Sequence, residues 1–509
     1  MDFRGWAKNL TAYFIFLLFT ATLGPLLFGF HLAELNTPED VIRCKKKSLF
    51  ANSAAKLPQC MSMDPAQWGL VGSIFTLGGL LGALSAGPVA GRYGRLKCMQ
   101  FTTVFFVLGP VLEALSPSIA VLVVGRFVSG LGAGAAVVVV PIYISEVAPP
   151  AERGFFGSFT QIMCNVGILI TQLLGYFLSH GRMWRLILAA AGVIGLIQAV
   201  GLIAGVESPK WLADQGRPSK AKKNLRKIRG QDANISEEIQ EWGVGDVDQM
   251  SGVFTPLEVT NTANTPLLDE EETLLNNPED STISPPPDKA NKAPLGTLAV
   301  LTHPETARAT FSVMMVMLAQ QFTGINSIIM YGVSLLATLL AANSALLNLL
   351  VSVVNIIATT SSAPLIERLG RKTCILGSIS SMGVTSLLLG ISILRHIPIL
   401  SAVAVVGFVA SFGLGLGPVP FILASELVGP EAVGAVQSWA LAANWVATFV
   451  VAQFFPMLNA RLGGYVFFIF AALAIVFGAF IAFFVPETKG KRNADEVWGR
   501  QRPAPRRED

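Results

Sequence analysis

Twelve apolar stretches, each close to the roughly 20 residues that carry a helix across a bilayer, occupy most of this 509-residue chain. Six lie near 12–33, 67–90, 98–115, 119–144, 154–179 and 185–206, and six more near 309–332, 343–366, 373–394, 398–424, 434–457 and 464–485. Hydrocarbon offers no water to unpaired backbone N–H and C=O groups, so a spanning segment must satisfy them internally, as a helix does. The expected fold is an all-α polytopic membrane protein with 12 transmembrane helices. Only 14% of the residues are charged, against roughly 25% in soluble domains.

The two sets of six echo each other. "RYGR" at 92–95 returns as "RLGR" at 368–371, "SEVAP" at 145–149 as "SELVGP" at 425–430, and "VESPK" at 206–210 as "VPETK" at 485–489. Three short matches in the same order at nearly one spacing indicate a duplicated six-helix unit, a layout used by alternating-access transporters. The expected units are an N-terminal half at 1–206, a cytosolic linker at 207–308, a C-terminal half at 309–485 and a cytosolic tail at 486–509.

With the N-terminus in the cytosol, 27 of the 37 Lys and Arg residues fall on the cytosolic side, nine on the other, and Arg126 within a span, as the positive-inside rule requires. The first span has no small-residue cleavage site after it and is expected to remain in the protein. Cys44 and Cys60 share the first non-cytosolic loop, which meets an oxidising compartment; a disulfide and two free thiols are both open there. Residues 231–300 hold 14 acidic and two basic residues and "SPPPDKANKAP", the composition of a disordered linker. The basic run "KWLADQGRPSKAKKNLRKIRG" before it has helical spacing and is expected at the cytosolic membrane surface.

Composition excludes several functions. The net charge of +4 is too small at this length to imply a nucleic-acid partner. The chain has no CxxC, HExxH, GxSxG or P-loop pattern, and no acid–base or nucleophile constellation of an enzyme. No cofactor and no metal are expected.

The motifs resemble those of the sugar porters of the major facilitator superfamily, close in pattern to facilitative glucose transporters. They are "GRYGR", "GRFVSGLGAG", "PIYISEVAP", the "RG" at 153–154, "VESPKWL", "QQFTGIN", "ERLGRK", "GLGPVPFILASEL" and "PETKG". The resemblance runs from about Phe14 to Glu496 apart from the linker. It implies a fold of two six-helix pseudo-repeats and transport of a hexose-type sugar, more readily as a facilitated uniporter than as a proton-coupled carrier. A non-transporting sugar sensor or trafficking factor on the same fold is the rival. The implied substrate site comprises Gln161 in span 5, Gln320, Gln321 and Asn326 in span 7, Asn355 in span 8 and Trp445 in span 11. Amides both donate and accept hydrogen bonds while staying neutral, and aromatic rings cover the apolar face of a sugar. Gly413, Phe421 and Thr448 stand where the glucose-transporter pattern has an acidic residue, a Trp and an Asn.

Within "QQFTGIN" the three amides point near 0°, 100° and 240° on a straight helix at 100° per residue, so a break at Thr323-Gly324 is expected. Proton-driven relatives pair an Asp of span 1 with the Arg of span 4. The matched residue here is His31, opposite Arg126, with Glu34 expected nearer the water. His31 reads either as a proton-sensitive element or as a neutral hydrogen-bonding residue in a uniporter. Arg92, Arg95, Glu146 and Arg153 in one half, with Glu367, Arg368, Arg371 and Glu426 in the other, resemble the family's cytosolic gate. Gly91 and Leu96 replace residues that usually strengthen the first-half latch. In the linker, "EEETLL" (Glu270, Leu274 and Leu275 being its key positions) fits an acidic dileucine signal read by sorting adaptors. The expected partners are therefore a sugar, the lipid bilayer and a sorting adaptor, for a monomer in a vacuolar, other endomembrane or plasma membrane.

Overall fold

The computed structural model describes residues 10–45, 57–230, 233, 235–240, 296, 298–337, 344–491 and 494–500. Among these residues the chain is helical, without a β-strand. The first six spans are Ala12–Ala33, Pro65–Tyr93, Arg95–Ala114, Ile119–Val147, Arg153–Leu178 and Trp184–Ile203. Spans 8, 9, 11 and 12 are Ser344–Leu369, Arg371–Leu394, Pro430–Leu462 and Val466–Phe484. Span 7 is divided into Ala307–Phe322 and Ile325–Ala337, and span 10 into Pro398–Leu414 and Val419–Glu426.

The break in span 7 lies where the sequence placed it. Span 10 had been read as one stretch, but Gly415 to Pro418 interrupt it. Pro418 lacks the N–H that would continue the ladder, and its ring clashes with the preceding turn. Several helices also run past the apolar stretches: span 11 begins at Pro430 and ends at Leu462, because polar residues at its ends extend the same helix beyond hydrocarbon.

Burial is arranged for lipid. Phe483, Ile399 and Ile203 are 82%, 79% and 77% exposed, whereas Trp68, Trp184 and Phe30 are buried between helices. An apolar exterior this extensive is what hydrocarbon selects. Across the divide between the halves, span 2 packs on span 11 and span 5 on span 8.

The repeated motifs turn out to be one structural device used twice. Gly94 and Gly370 take φ values of +102° and +97° between spans 2 and 3 and between spans 8 and 9, a conformation open to glycine. A Cβ there would also meet the carboxylates of Glu207 (2.2 Å) and Glu487 (2.6 Å). Those carboxylates cap the next helix: Glu207 Oε1 accepts from the N–H of Arg95 at 2.8 Å and Leu96 at 3.0 Å. In the second half Glu487 accepts from the N–H of Arg371 at 2.8 Å and Lys372 at 3.1 Å. A carboxylate at a helix N-terminus satisfies free donors and meets the positive end of the helix dipole. Arg95 then pairs with Glu146 and Arg371 with Glu426, each pair at 2.8 Å.

On the opposite face, a disulfide joins Cys44 and Cys60. The loop is tied down by Trp184 Nε1, which donates to Gln59 O at 2.9 Å, and by Arg185, which donates to Pro58 O at 3.0 Å and to Ala114 O at 2.8 Å. After span 6 the basic run forms helices Pro209–Asp214 and Pro218–Arg229. The second buries Ala221, Leu225 and Ile228 and leaves Lys220, Lys223 and Arg226 exposed. The sorting pattern at Glu270, Leu274 and Leu275 lies outside the described residues.

Candidate functional site

Two groups of amides stand at the interface between the halves. The first surrounds the break in span 7. Gly324 has a φ of +99°, and a Cβ on it would meet the Phe470 ring at 2.6 Å. The kink turns Asn326 back toward Gln321, so that Asn326 Nδ2 donates to Gln321 Oε1 at 2.6 Å. Asn326 also reaches Thr448 Oγ1 at 3.4 Å, and Gln321 Nε2 reaches Asn444 Oδ1 at 3.3 Å. Gln320 is bound more tightly. Its Nε2 donates to the carbonyls of Leu416 (2.8 Å) and Gly417 (2.9 Å), and its Oε1 accepts from Asn444 Nδ2 at 2.6 Å. Gln320 therefore holds the carbonyls freed by the break in span 10, a structural task.

The second group joins spans 5 and 8 across the divide. Gln161 Nε2 donates to Asn165 Oδ1 at 3.3 Å, Asn165 Nδ2 to Thr359 Oγ1 at 3.1 Å, and Asn355 Nδ2 to Asn165 Oδ1 at 3.4 Å. Trp445, on the residue after Asn444, stands edge-on to Phe28 (5.7 Å between centroids) and Phe75 (6.5 Å) from the other half. A Cβ on Gly79 of span 2 would meet the Trp445 ring at 2.3 Å, so only glycine lets the indole lie there. Sequence reasoning missed Asn444, Asn165 and Thr359; the signal was present, since each lies next to, or four residues from, an identified site residue.

The bond lengths sort these contacts. Bonds near 2.6–2.9 Å have ordinary geometry, while those of 3.3–3.4 Å are at the long limit and weaker. A hydroxylated ligand could exchange with the long bonds at little net cost, since each hydroxyl both donates and accepts. The three departures have plain structures. Thr448 is in the first group, Phe421 is 39% exposed on the outside, and Gly413 packs with its Cα side against Ala358, where a Cβ would come within 2.8 Å.

At the end that carries the disulfide the halves are bound together. Asn36 Nδ2 donates to Ile329 O at 2.7 Å, its Oδ1 accepts from Val333 N at 2.9 Å, and Ser73 Oγ donates to Gln453 Oε1 at 2.8 Å. At the opposite end, the Arg95–Glu146 and Arg371–Glu426 pairs each lie within one half. Arg92 lies against the ring of Tyr93, while Glu367 and Arg368 are exposed. Arg153 begins span 5, half-buried. A cavity of about 650 Å³ at this end of the second half is lined by Arg371, Glu426 and Thr488 and lies away from both amide groups.

The expected pairing around Arg126 needs correction. Arg126 Nη1 does contact His31, but through its backbone carbonyl at 2.8 Å; the ion partner is the carboxylate of Glu34. Glu34 does not lie nearer the water: the side chains of Glu34, Arg126 and His31 are all 0% exposed. The physical reason is helical spacing, which puts His31 and Glu34 on one face, with His31 Nδ1 3.0 Å from Glu34 Oε1. A further carboxylate, Glu113 of span 3, is buried beside them and accepts from Ser129 Oγ at 2.6 Å. One oxygen or nitrogen of each of His31, Glu34 and Glu113 lies within 4.8 Å of the others. The Arg126 guanidinium in the same pocket opposes a metal cation there, as like charges repel strongly where water is excluded. Glu113 was missed, although a lone Glu inside an apolar stretch is itself a functional signal.

Comparison with known proteins agrees with this architecture. The sugar (and other) transporter family matches residues 17–255 and 286–497. A probable metabolite transport protein of Saccharomyces cerevisiae is 32% identical over 96% of this chain and 96% of its own length. The facilitated glucose transporter member 3 of Rattus norvegicus is 29% identical over 96% and 93%. Among solved structures, the xylose transporter XylE from E. coli, in a partially occluded inward-open conformation, aligns with a TM-score of 0.72 at 23% identity, covering 95% of this chain and 100% of XylE. The chain is thus a multi-pass integral membrane protein, and it belongs to the sugar (and other) transporter family.

Proposed function

We propose that this protein carries a hexose-type sugar across its membrane by alternating access, with no covalent chemistry. The observation that supports it is the set of neutral amides at the two helix breaks of the second half, next to Trp445, together with the Gln161–Asn165 group that joins the halves. Broken helices at such a depth are tolerated where they line a polar pathway. Reconstitution in liposomes tests the reading, with labelled glucose inside and unlabelled hexoses outside. Saturable exchange supports transport; sugar binding without exchange would replace it with a non-transporting sensor.

Proton coupling is the second reading, and one observation favours it over uniport. The uniport expectation rested on His31 opposing Arg126, whereas the paired group is the carboxylate of Glu34, which can gain or lose a proton against that cation. Uptake compared with and without an imposed pH gradient separates the two. Equal uptake in both conditions returns the protein to uniport.

A further inference from the structure

The buried cluster contains one carboxyl more than its cation can neutralise. Arg126 carries a fixed positive charge, and Glu34 pairs with it. Glu113 Oε1 accepts from the Ser129 hydroxyl, and the Glu113 side chain is wholly buried. Four polar atoms here have no partner: Glu34 Oε2, Glu113 Oε2, Arg126 Nη2 and His31 Nε2. Two ionised carboxylates against one guanidinium would leave a net charge in a dry pocket, at a cost no protein interior sustains without a compensating ion. A single proton, on a carboxyl or on His31 beside Glu34, makes the cluster neutral.

We propose that Glu113 and Glu34 share one proton, and that its loss is transmitted to the sugar site through Phe75. This inference rests on the proton-coupled reading above. The proton enters from water and leaves to water as the cluster opens to one side or the other, and no other group is consumed. The groups facing the pair are few. Span 1 supplies His31, span 4 supplies Arg126 and Ser129, and span 2 supplies the Val71 carbonyl and Phe75. Beyond them, Glu39 is held by Arg43 at 2.6 Å, and the Tyr331 hydroxyl donates to Ala452 O at 2.8 Å.

Phe75 is the physical link. The Arg126 guanidinium lies 4.6 Å from its ring centroid, and Arg126 Nε reaches Val71 O at 3.4 Å. The centroid of the same ring lies 6.5 Å from that of Trp445 and 6.4 Å from that of Phe28. When the proton leaves, both carboxylates compete for Arg126, and its free Nη2 is the donor that can bridge to Glu113. That swing draws the guanidinium off Phe75, and the ring that rests on Trp445 loses its support. The device makes the amide site sense protonation without any titratable group inside it.

The test is Glu113→Gln in liposomes, read by two assays. The parent accumulates labelled sugar above equilibrium when a pH gradient is imposed, and also exchanges sugar at symmetric pH. Glu113→Gln is expected to keep exchange, to bring the accumulation ratio down to one and to flatten the pH profile of exchange; Glu113→Asp restores part of the accumulation. Accumulation by Glu113→Gln equal to the parent overturns the proposal. So does a sodium gradient driving accumulation at symmetric pH. A parent that never accumulates under a pH gradient instead overturns proton coupling itself. Should Glu113→Gln fail to fold, Phe75→Leu with the parent decides: equal pH profiles of exchange in the two proteins overturn the transmission through Phe75.

Discussion

The carboxylate of Glu34 is paired with the guanidinium of Arg126, with both side chains withdrawn completely from solvent. Removing one member of a buried pair leaves the other as an uncompensated charge, which costs about 3–5 kcal/mol. Arg126→Ala, which strips Glu34 of its only cation in the pocket, is therefore expected to lower stability by that order. Thermal unfolding of the solubilised protein, followed by circular dichroism, checks it; a loss under about 1 kcal/mol would mean that the pair is open to water.

Gln320 and Gln321 are adjacent but are expected to differ under mutation. Gln321→Ala and Asn326→Ala break the 2.6 Å bond between the two and their long contacts to Asn444 and Thr448, and each should weaken sugar binding by about 1–2 kcal/mol, or roughly 5- to 30-fold, with a smaller loss of stability than Gln320→Ala. Gln320→Ala strips the Leu416 and Gly417 carbonyls of their donor and should act mainly on stability, by about 2–3 kcal/mol. Binding titrations and unfolding curves on the three variants separate these effects, and a uniform loss of folding would make all three amides structural.

Gly324→Ala should be severely damaging. A left-handed residue with a Cβ costs about 1–2 kcal/mol by itself, and the Phe470 ring at 2.6 Å adds a clash. Expression, unfolding temperature and binding should fall together. Gly377, whose added Cβ meets nothing within 4 Å, is the matched control, since Gly377→Ala should change none of these.

Cys44→Ser removes a bridge between residues 16 apart, for which loop closure accounts for about 3 kcal/mol. The variant should unfold earlier by that order in non-reducing buffer, and the parent should fall to the same value after reduction. No difference between parent and variant would mean that the loop is held by Trp184 and Arg185 alone.

Much of this fold was legible because a bilayer permits so little else. The number of spans and their duplication follow from runs of apolar residues and from three repeated motifs. The break at Gly324 was legible too, since Gln320, Gln321 and Asn326 could not share one face of a straight helix. The break at Gly415 was not, because apolar residues surround it and hydropathy does not respond to backbone geometry.

Pairing between distant helices is where the sequence stopped. Motif matching set His31 opposite Arg126, yet the carboxylate of Glu34, one turn on, reaches the guanidinium, and Glu113 arrives from a helix with no motif at all. Likewise the repeated Glu207 and Glu487 marked a family pattern, while their work as caps on the helices beginning at Arg95 and Arg371 required the loops to return to those ends. The sequence by itself determined which segments enter the membrane, because transfer into hydrocarbon depends on local composition. Tertiary structure alone decided which buried charges meet and which amides hold backbone or face one another, because those are set by the approach of helices far apart in the chain.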